Sequence, residues 1–167
     1  MAERSGKKTN LVVVTPYKNF FEGRVDSVSL PSLDGEIGIM ASHTPVVIAL
    51  KPGIVNARID KEYKHFTISE GYAEIGHNIV LIVCNSAEWP EEIKVGRIFR
   101  SHKDAYENVK EIMAIKDASV REDAKRENDL DFARAKARKH LIELYGSERQ
   151  RARLEELLSS TPRELCP

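Results

Sequence analysis

The side chains in this sequence that could carry chemistry are Ser42 beside His43, the histidines His65 and His77, the cysteines Cys84 and Cys166, and Glu36, set between Gly35 and Gly38. An adjacent Ser and His could supply a nucleophile and its base. A hydrolytic serine, however, needs a glycine-flanked elbow and an acid at readable spacing, and neither is present. The histidines fall in separate segments, no pair has ligand spacing, and no cysteine accompanies them, so no metal site is expected. The cysteines give no disulfide framework and fit a reducing compartment. No catalysis and no cofactor follow from these residues. The remaining candidates are non-catalytic: the stretch Asp34–Pro45, and the basic run Arg134, Lys136, Arg138, Lys139 and His140.

The first of these reads as a tight turn leading into a short strand, with Glu36 on the exposed edge of the turn. Glycines at 35 and 38 imply backbone with positive φ or closely approached. Pro45 keeps Thr44 out of helical conformation and opens a new segment. On both sides the chain reads as short strands. Leu11–Thr15 is a β-branched run closed by Pro16, and Val46–Leu50 is another. Ile54–Ile59 alternates Ile54, Asn56, Arg58 against Val55, Ala57, Ile59, one wet face and one dry. Tyr63–Ile68 alternates in the same way, and Tyr72–Ile75 and Ile79–Cys84 follow after turns at Gly71 and Gly76-His77-Asn78. The three-residue interval between Val25 and Val28 breaks period two and predicts a bulge. Strands at even spacing, punctuated by Gly, Pro and Asn, predict an antiparallel β-sandwich or barrel over residues 10–90, of which the sandwich is taken as the expectation.

After Glu91-Glu92 the periodicity changes. Val95, Ile98, Phe99, His102, Ala105, Tyr106, Val109, Ile112 and Met113 follow the three-four spacing of one helical face. Lys116–Glu127 loses that pattern and reads as a charged connection, with Asn128-Asp129 as a cap. Leu130, Ala133, Ala137, Leu141 and Leu144, then less regularly Leu154, Leu157 and Leu158, predict a second helix, with Gly146 inside the stretch as a cap or a weak point. The fold class is therefore α+β: an antiparallel sandwich, a C-terminal α-helical hairpin over 91–160, and a flexible tail over 161–167. Alanines on the facing positions bury roughly 2 kcal/mol less than leucines would, so the hairpin is expected to be weakly held and able to leave the sandwich.

Composition bounds the partners. The 26 Lys+Arg and 26 Asp+Glu balance, which argues against nucleic acid or an anionic membrane surface as the main partner. The balance is uneven along the chain: residues 1–93 hold nine basic and twelve acidic residues (net −3), and residues 94–167 hold seventeen and fourteen (net +3). Met1–Asn10 has no apolar run that would make a secretory signal, and no apolar run reaches membrane-spanning length. The basic run reads either as a solvated face balanced by Asp131 and Glu143 or as a landing strip for an acidic surface.

Taken together, the two halves resemble the epsilon subunit of F-type ATP synthases. The resemblance is carried by Phe21-Glu22-Gly23 with Val25 and Val28, Gly35-Glu36-Ile37-Gly38-Ile39, His43-Thr44-Pro45, Leu50-Lys51-Pro52-Gly53, Glu70–Ile75 and Asn78–Val83. It is looser in the helices, where Asp129–Ala135 resembles the start of the family's final helix. It implies a non-catalytic central-stalk subunit that couples proton flow to rotary ATP synthesis. Its β-sandwich would clasp the gamma subunit and rest on the polar loops of the c-ring through a loop of Gly35, Glu36, Ile37, Gly38 and His43, with Glu36 at the tip. Its helices would extend toward the alpha and beta subunits and inhibit ATP hydrolysis, with Arg134, Lys136, Arg138 and Lys139 facing an acidic part of beta. The location implied is the cytoplasmic face of the bacterial inner membrane, peripheral, with membrane contact only through the complex. Some members bind ATP through Ile/Leu-Asp-x-x-Arg-Ala at the start of the first helix. The matching run Ile93-Lys94-Val95-Gly96-Arg97-Ile98 keeps Arg97 but has lysine for the acid, so ATP sensing there is not expected. The residues alone also allow a free-standing ligand-binding β-sandwich with a helical dimerisation arm.

Overall fold

The structure, a computed structural model, describes residues 7–167. The reading of Met1–Gly6 as free of a signal segment lies outside the described residues. The chain divides after Glu88 into a β unit and a helical unit that begins at Trp89.

The β unit is built from β1 (Thr9–Val14), β2 (Asn19–Val25), β3 (Ser27–Ser32), β4 (Gly35–Met40), β5 (Val46–Leu50), β6 (Gly53–Ile59), β7 (Glu62–Ile68), β8 (Gly71–Ile75), β9 (Ile79–Cys84) and β10 (Ala87–Glu88). Their hydrogen-bonded order is β10-β7-β6-β3-β5-β8-β9-β1-β2, with β4 on the free side of β3. The link between β3 and β5 is the single pair Ser32–Leu50. The ladder therefore behaves as two sheets joined at one corner, β4-β3-β6-β7-β10 and β5-β8-β9-β1-β2. Their inner sides carry Leu11, Val13, Val28, Leu30, Ile39, Val55, Ala57, Phe66, Ile75, Val80 and Ile82, each at most 1 % exposed. Phe20 of β2 meets Phe66 of β7 with ring centroids 5.2 Å apart and planes at 53°, a tilted aromatic pair inside the core.

Two details differ from the sequence reading. The pairs are antiparallel except β1 with β9, which run parallel in continuous register from Asn10–Ile79 to Val14–Val83. Val25 and Val28 do not flank a bulge: Val25 ends β2, Val28 belongs to β3, and the chain bends between them at Asp26. The register shift lies instead at Val13/Val14 opposite β2. Between β6 and β7, Asp60 and Lys61 both have positive φ (49° and 77°), the backbone of a two-residue hairpin turn whose twist matches the flanking strands.

The helical unit holds three helices, α1 (Val95–Ala114), α2 (Ala118–Tyr145) and α3 (Glu148–Ser160), after a 3-10 turn at Pro90–Glu92. Lys116–Glu127 is not a long connection. Only Ile115–Asp117 separate the first two helices, and Asp117 caps α2 by accepting from the N–H groups of Ser119 and Val120. A charged stretch without an apolar stripe forms helix here because Ala, Arg, Glu and Lys all have high helix propensity. Asn128-Asp129 lies inside α2. Gly146 ends α2: a Cβ there would stand 2.6 Å from the Ile142 carbonyl oxygen. Ser147 then caps α3, its hydroxyl accepting from Gln150 N–H while the Gln150 side chain accepts from Ser147 N–H, a reciprocal capping box. Gln150 also donates through Nε2 to the carbonyls of Pro90 (2.7 Å) and Ile93 (3.0 Å), tying α3 to the start of the unit. The α2 residues turned inward are Ala135, Ala137, Leu141 and Ile142, whereas Leu144 is 49 % exposed. Residues 161–167, expected as a flexible tail, contain a 3-10 turn at Arg163–Leu165, and Lys139 Nζ donates to the Pro167 oxygen at 2.8 Å.

Candidate functional site

Because paired residues on neighbouring strands share a face, the register fixes what each sheet turns outward. On β5-β8-β9-β1 the outward rows are Val47–Glu74–Leu81–Val12 and Ala49–Tyr72–Val83–Val14. This face is apolar apart from Glu74 and Asn10, the register partner of Ile79, and Val47, Tyr72 and Ile79 are 65 %, 46 % and 44 % exposed. On β4-β3-β6-β7 the outward rows are Met40–Ser27–Arg58–Tyr63 and Gly38–Ser29–Asn56–His65. This second face is polar and internally bonded. Ser29 Oγ donates to Glu36 Oε1. His65 Nδ1 lies 2.7 Å from Asn56 Oδ1, and the Tyr63 ring stacks on His65 at 5.9 Å and 10°. Since an amide oxygen can only accept, His65 carries its proton on Nδ1. Burial holds the His65 pKa below its ordinary value, because desolvation disfavours the imidazolium.

The residues of the expected loop are placed differently from the sequence reading. Gly35 through Met40 form strand β4, not a loop. The tip of the β3–β4 hairpin is Leu33-Asp34, and Glu36 sits in the strand opposite Pro31. The reason is period two: Ile37 and Ile39 turn inward while Glu36, Gly38 and Met40 turn outward. Gly35 does have positive φ (139°), but Gly38 does not, and a Cβ added at Gly38 would meet nothing within 4 Å. His43 lies beyond β4, in the turn before β5, with Nδ1 2.8 Å from the Thr44 carbonyl oxygen.

The basic residues of α2 do not form one strip. At about 100° per residue, Lys136 stands on the opposite side of the helix from Arg134 and Arg138. Arg134 is paired with Asp131 at 2.7 Å, and Lys139 with Glu143 at 3.6 Å; Lys136 is exposed. These are the acids the sequence offered as balancing charges. Arg97 is exposed on α1. Across α1 and α2, the His102 ring meets Phe132 edge-on at 4.9 Å. Its pKa is lowered, first by burial and further by Lys139, against a backbone bond to Leu165 that raises it. Tyr106, Val109 and Met113, expected on the packed face of α1, are 40 %, 39 % and 69 % exposed.

Sequence spacing missed a polar cleft of about 560 Å³ at one end of the β unit, lined by Lys7, Lys8, Arg24 and His77 together with Asn10, Ser42 and Asn78. Its residues come from separate segments, so no linear motif marks it. No helix among the described residues is long and apolar enough to cross a membrane, and no His, Cys, Asp or Glu cluster of metal-holding size occurs among them.

Comparisons with known proteins agree with this architecture. The family described as "ATP synthase, Delta/Epsilon chain, beta-sandwich domain" matches residues 8–90. The ATP synthase epsilon chain of Caldanaerobacter subterraneus subsp. tengcongensis is 33 % identical over 106 residues, 63 % of this chain and 77 % of that one. The Clostridium novyi epsilon chain is 36 % identical over 104 residues, covering 62 % and 79 %. Among solved structures, a chain of the Euglena gracilis mitochondrial ATP synthase (OSCP/F1/c-ring, rotational state 1) has the same fold, with a TM-score of 0.64 at 18 % identity over 84 % of this chain and 87 % of that one. Sandwich, register and relatives together establish that this chain belongs to the ATP synthase epsilon chain family.

Proposed function

We propose that this protein is a non-catalytic subunit of the central stalk of a rotary, proton-driven ATP synthase, with the β unit gripping the gamma subunit. The observation that carries the reading is the outer face of β5-β8-β9-β1. Val47, Tyr72 and Ile79 stand there largely exposed in one surface with Val12, Leu81 and Val83. Covering such side chains is worth about 1.5–3 kcal/mol each when complete, and a contiguous apolar patch is the usual mark of a protein partner.

The outward side of β4, with Glu36 and Gly38, together with Gly35, Ile37 and the adjoining turn at His43, is assigned to the c-ring's polar loops. The free edge of β4 and the open space above Gly38 support close approach there. The helical unit is assigned the inhibition of ATP hydrolysis at the alpha and beta subunits. Exposed Tyr106, Val109 and Met113 on α1 and Lys136 on α2 support a further partner surface. Arg134, Arg138 and Lys139 join that contact once their present pairings open, which for partly exposed ion pairs costs no more than about 1 kcal/mol each. In this reading the protein lies on the cytoplasmic face of a bacterial inner membrane and meets the membrane only through the complex.

The test is capture of gamma by the purified chain, followed by ATP hydrolysis by an epsilon-depleted head supplied with the full chain or with a truncation after Trp89. Gamma should be retained by both forms, and hydrolysis should rise with the truncation. Failure to capture gamma, with hydrolysis unchanged by the full chain, would end this reading.

A further inference from the structure

The cleft at the end of the β unit is out of keeping with its surroundings. The first half of the chain is acidic on balance, yet no carboxylate lines this cavity of about 560 Å³. Its cations converge from distant places: Lys7 and Lys8 lead into β1, Arg24 lies near the end of β2, and His77 belongs to the β8–β9 turn. Lys8 is neutralised by Asp60. Lys7 and Arg24 have no ion-pair partner among the described residues, so two positive charges remain unbalanced beside an imidazole that offers an N–H donor in either protonation state.

The neutral lining completes a donor set. Asn10, Ser42 and Asn78 supply two amide groups and a hydroxyl. The backbone holds these groups in place. Asn10 N–H donates to the Asn78 carbonyl at 2.9 Å, and Ser42 N–H donates to the His77 carbonyl at 3.0 Å. Asn10 is also the register partner of Arg24 on β2, which puts both side chains on one face. Ser42 has φ 65°, a left-handed conformation unusual for serine. Such backbone persists only where its surroundings over-determine it, and it concentrates at ligand sites.

We propose that this cleft binds a phosphate-class oxyanion, borne by a soluble phosphorylated molecule or by a lipid headgroup, with Lys7 and Arg24 as its charge partners and Asn10, Ser42, His77 and Asn78 as further hydrogen-bond donors. Charge-assisted bonds to phosphate are the strongest a cleft of this composition can make. Ser42 adjoins His43 in the turn assigned to the c-ring and Asn10 is the register partner of Ile79, so the cleft borders the proposed rotor surfaces, and phosphate titration of the free chain tests it whether or not that assignment holds.

The experiment is amide-resolved NMR of the full chain, titrated with inorganic phosphate and then pyrophosphate, with sodium chloride at matched ionic strength as the control. Saturable shifts confined to Asn10, Ser42, His77 and Asn78, absent with chloride, are the expected result. Arg24→Gln and Lys7→Gln should each weaken binding by about tenfold. Lys51→Gln, elsewhere on the same unit, should leave it unchanged. Co-sedimentation with phosphatidylglycerol vesicles, set against phosphatidylcholine vesicles, separates the two sources. Capture by the anionic vesicles alone that is lost in Arg24→Gln, with soluble phosphates silent, assigns the oxyanion to a headgroup. Equal shifts with chloride, binding indifferent to both substitutions, or silence in every arm would overturn the proposal. Either surface variant suffices should the other fail to fold.

Discussion

The two outer faces of the sandwich are made by the same device and turn out opposite in character. Both sheets alternate with period two and both bury their inner residues almost completely. Outward, β5-β8-β9-β1 presents Val12, Val47, Tyr72, Leu81 and Val83 around a single central acid, Glu74, while β4-β3-β6-β7 presents Ser29, Glu36, Asn56, Arg58 and His65 with Met40 and Tyr63 along one row. The polar face satisfies itself, with Ser29 bonded to Glu36 and His65 bonded to Asn56. The apolar face has no such internal solution, since only burial satisfies a valine or an isoleucine. One face therefore meets much of its polar need within the isolated chain, and the other is the face we propose the gamma subunit covers. This difference separates a surface built for solvent or polar contact from one built to be covered.

The comparison can be broken most severely at Gly71. A Cβ there would lie 2.1 Å from the Val83 carbonyl oxygen and 2.8 Å from the Cys84 Cα. Gly71→Ala must push β8 away from β9, beneath the Tyr72–Val83 pair, and is expected to destabilise the chain by about 3 kcal/mol or more, read as a lower midpoint in urea unfolding. Next comes Val47→Asp. An exposed position should change stability by no more than about 0.5 kcal/mol, while gamma capture should weaken by at least tenfold, because a partner would have to bury the new charge unpaired. Unimpaired capture would mean that the apolar face is not the gamma surface.

The third prediction concerns pH and sharpens the polar side. His65 has its folded pKa lowered by burial, and so does His102 in the helical unit. Between the folded value and the unfolded value near 6.5, the unfolded chain binds more protons, so stability rises with pH through that window. Stability should be fully present above the unfolded value and should decline as pH falls below it. His65→Asn should flatten the decline in the β unit, and His102→Asn in the helical unit, both followed by thermal melts from pH 7.5 to 5. No comparable histidine stands on the apolar face, so substitutions there should leave the slope unchanged. The smallest effect is expected from Glu36→Gln. It weakens one exposed bond to Ser29 and should alter stability by roughly 0.5 kcal/mol. A larger effect on urea unfolding would show that the polar face depends on that carboxylate.

Much of this was legible in the sequence, and the failures have physical causes. Alternation in Ile54–Ile59 and Tyr63–Ile68 gave both strand and facing, because half-buried strands print their environment at every second residue. Facing does not reveal partnership: nothing in Leu11–Val14 marks a parallel neighbour at Val80–Val83, since the same apolar run suits either direction. In the helices, Lys116–Glu127 misled because the first turns of α2 rest on backbone propensity and the Asp117 cap, leaving no stripe to detect. Gly146 reads in the sequence as a cap or a weak point, and the structure makes it the cap that ends α2, a choice the apolar pattern alone does not decide. At the site, the glycines of β4 looked alike, but only Gly35 serves the turn. Glu36 took its place from its inward neighbours Ile37 and Ile39. The anionic-ligand cleft was invisible because folding alone brings Lys7, Arg24 and His77 together.

The parallel junction of β1 with β9 also dictates an order of events during synthesis. β1 cannot find its parallel neighbour until some seventy residues later, when Ile79–Cys84 has left the ribosome. Until then Leu11, Val12 and Val13 can pair only with β2 and keep one edge bare, a state open to wrong association. Closure of so distant a contact is slow, so β1 is held in waiting while some seventy further residues are made.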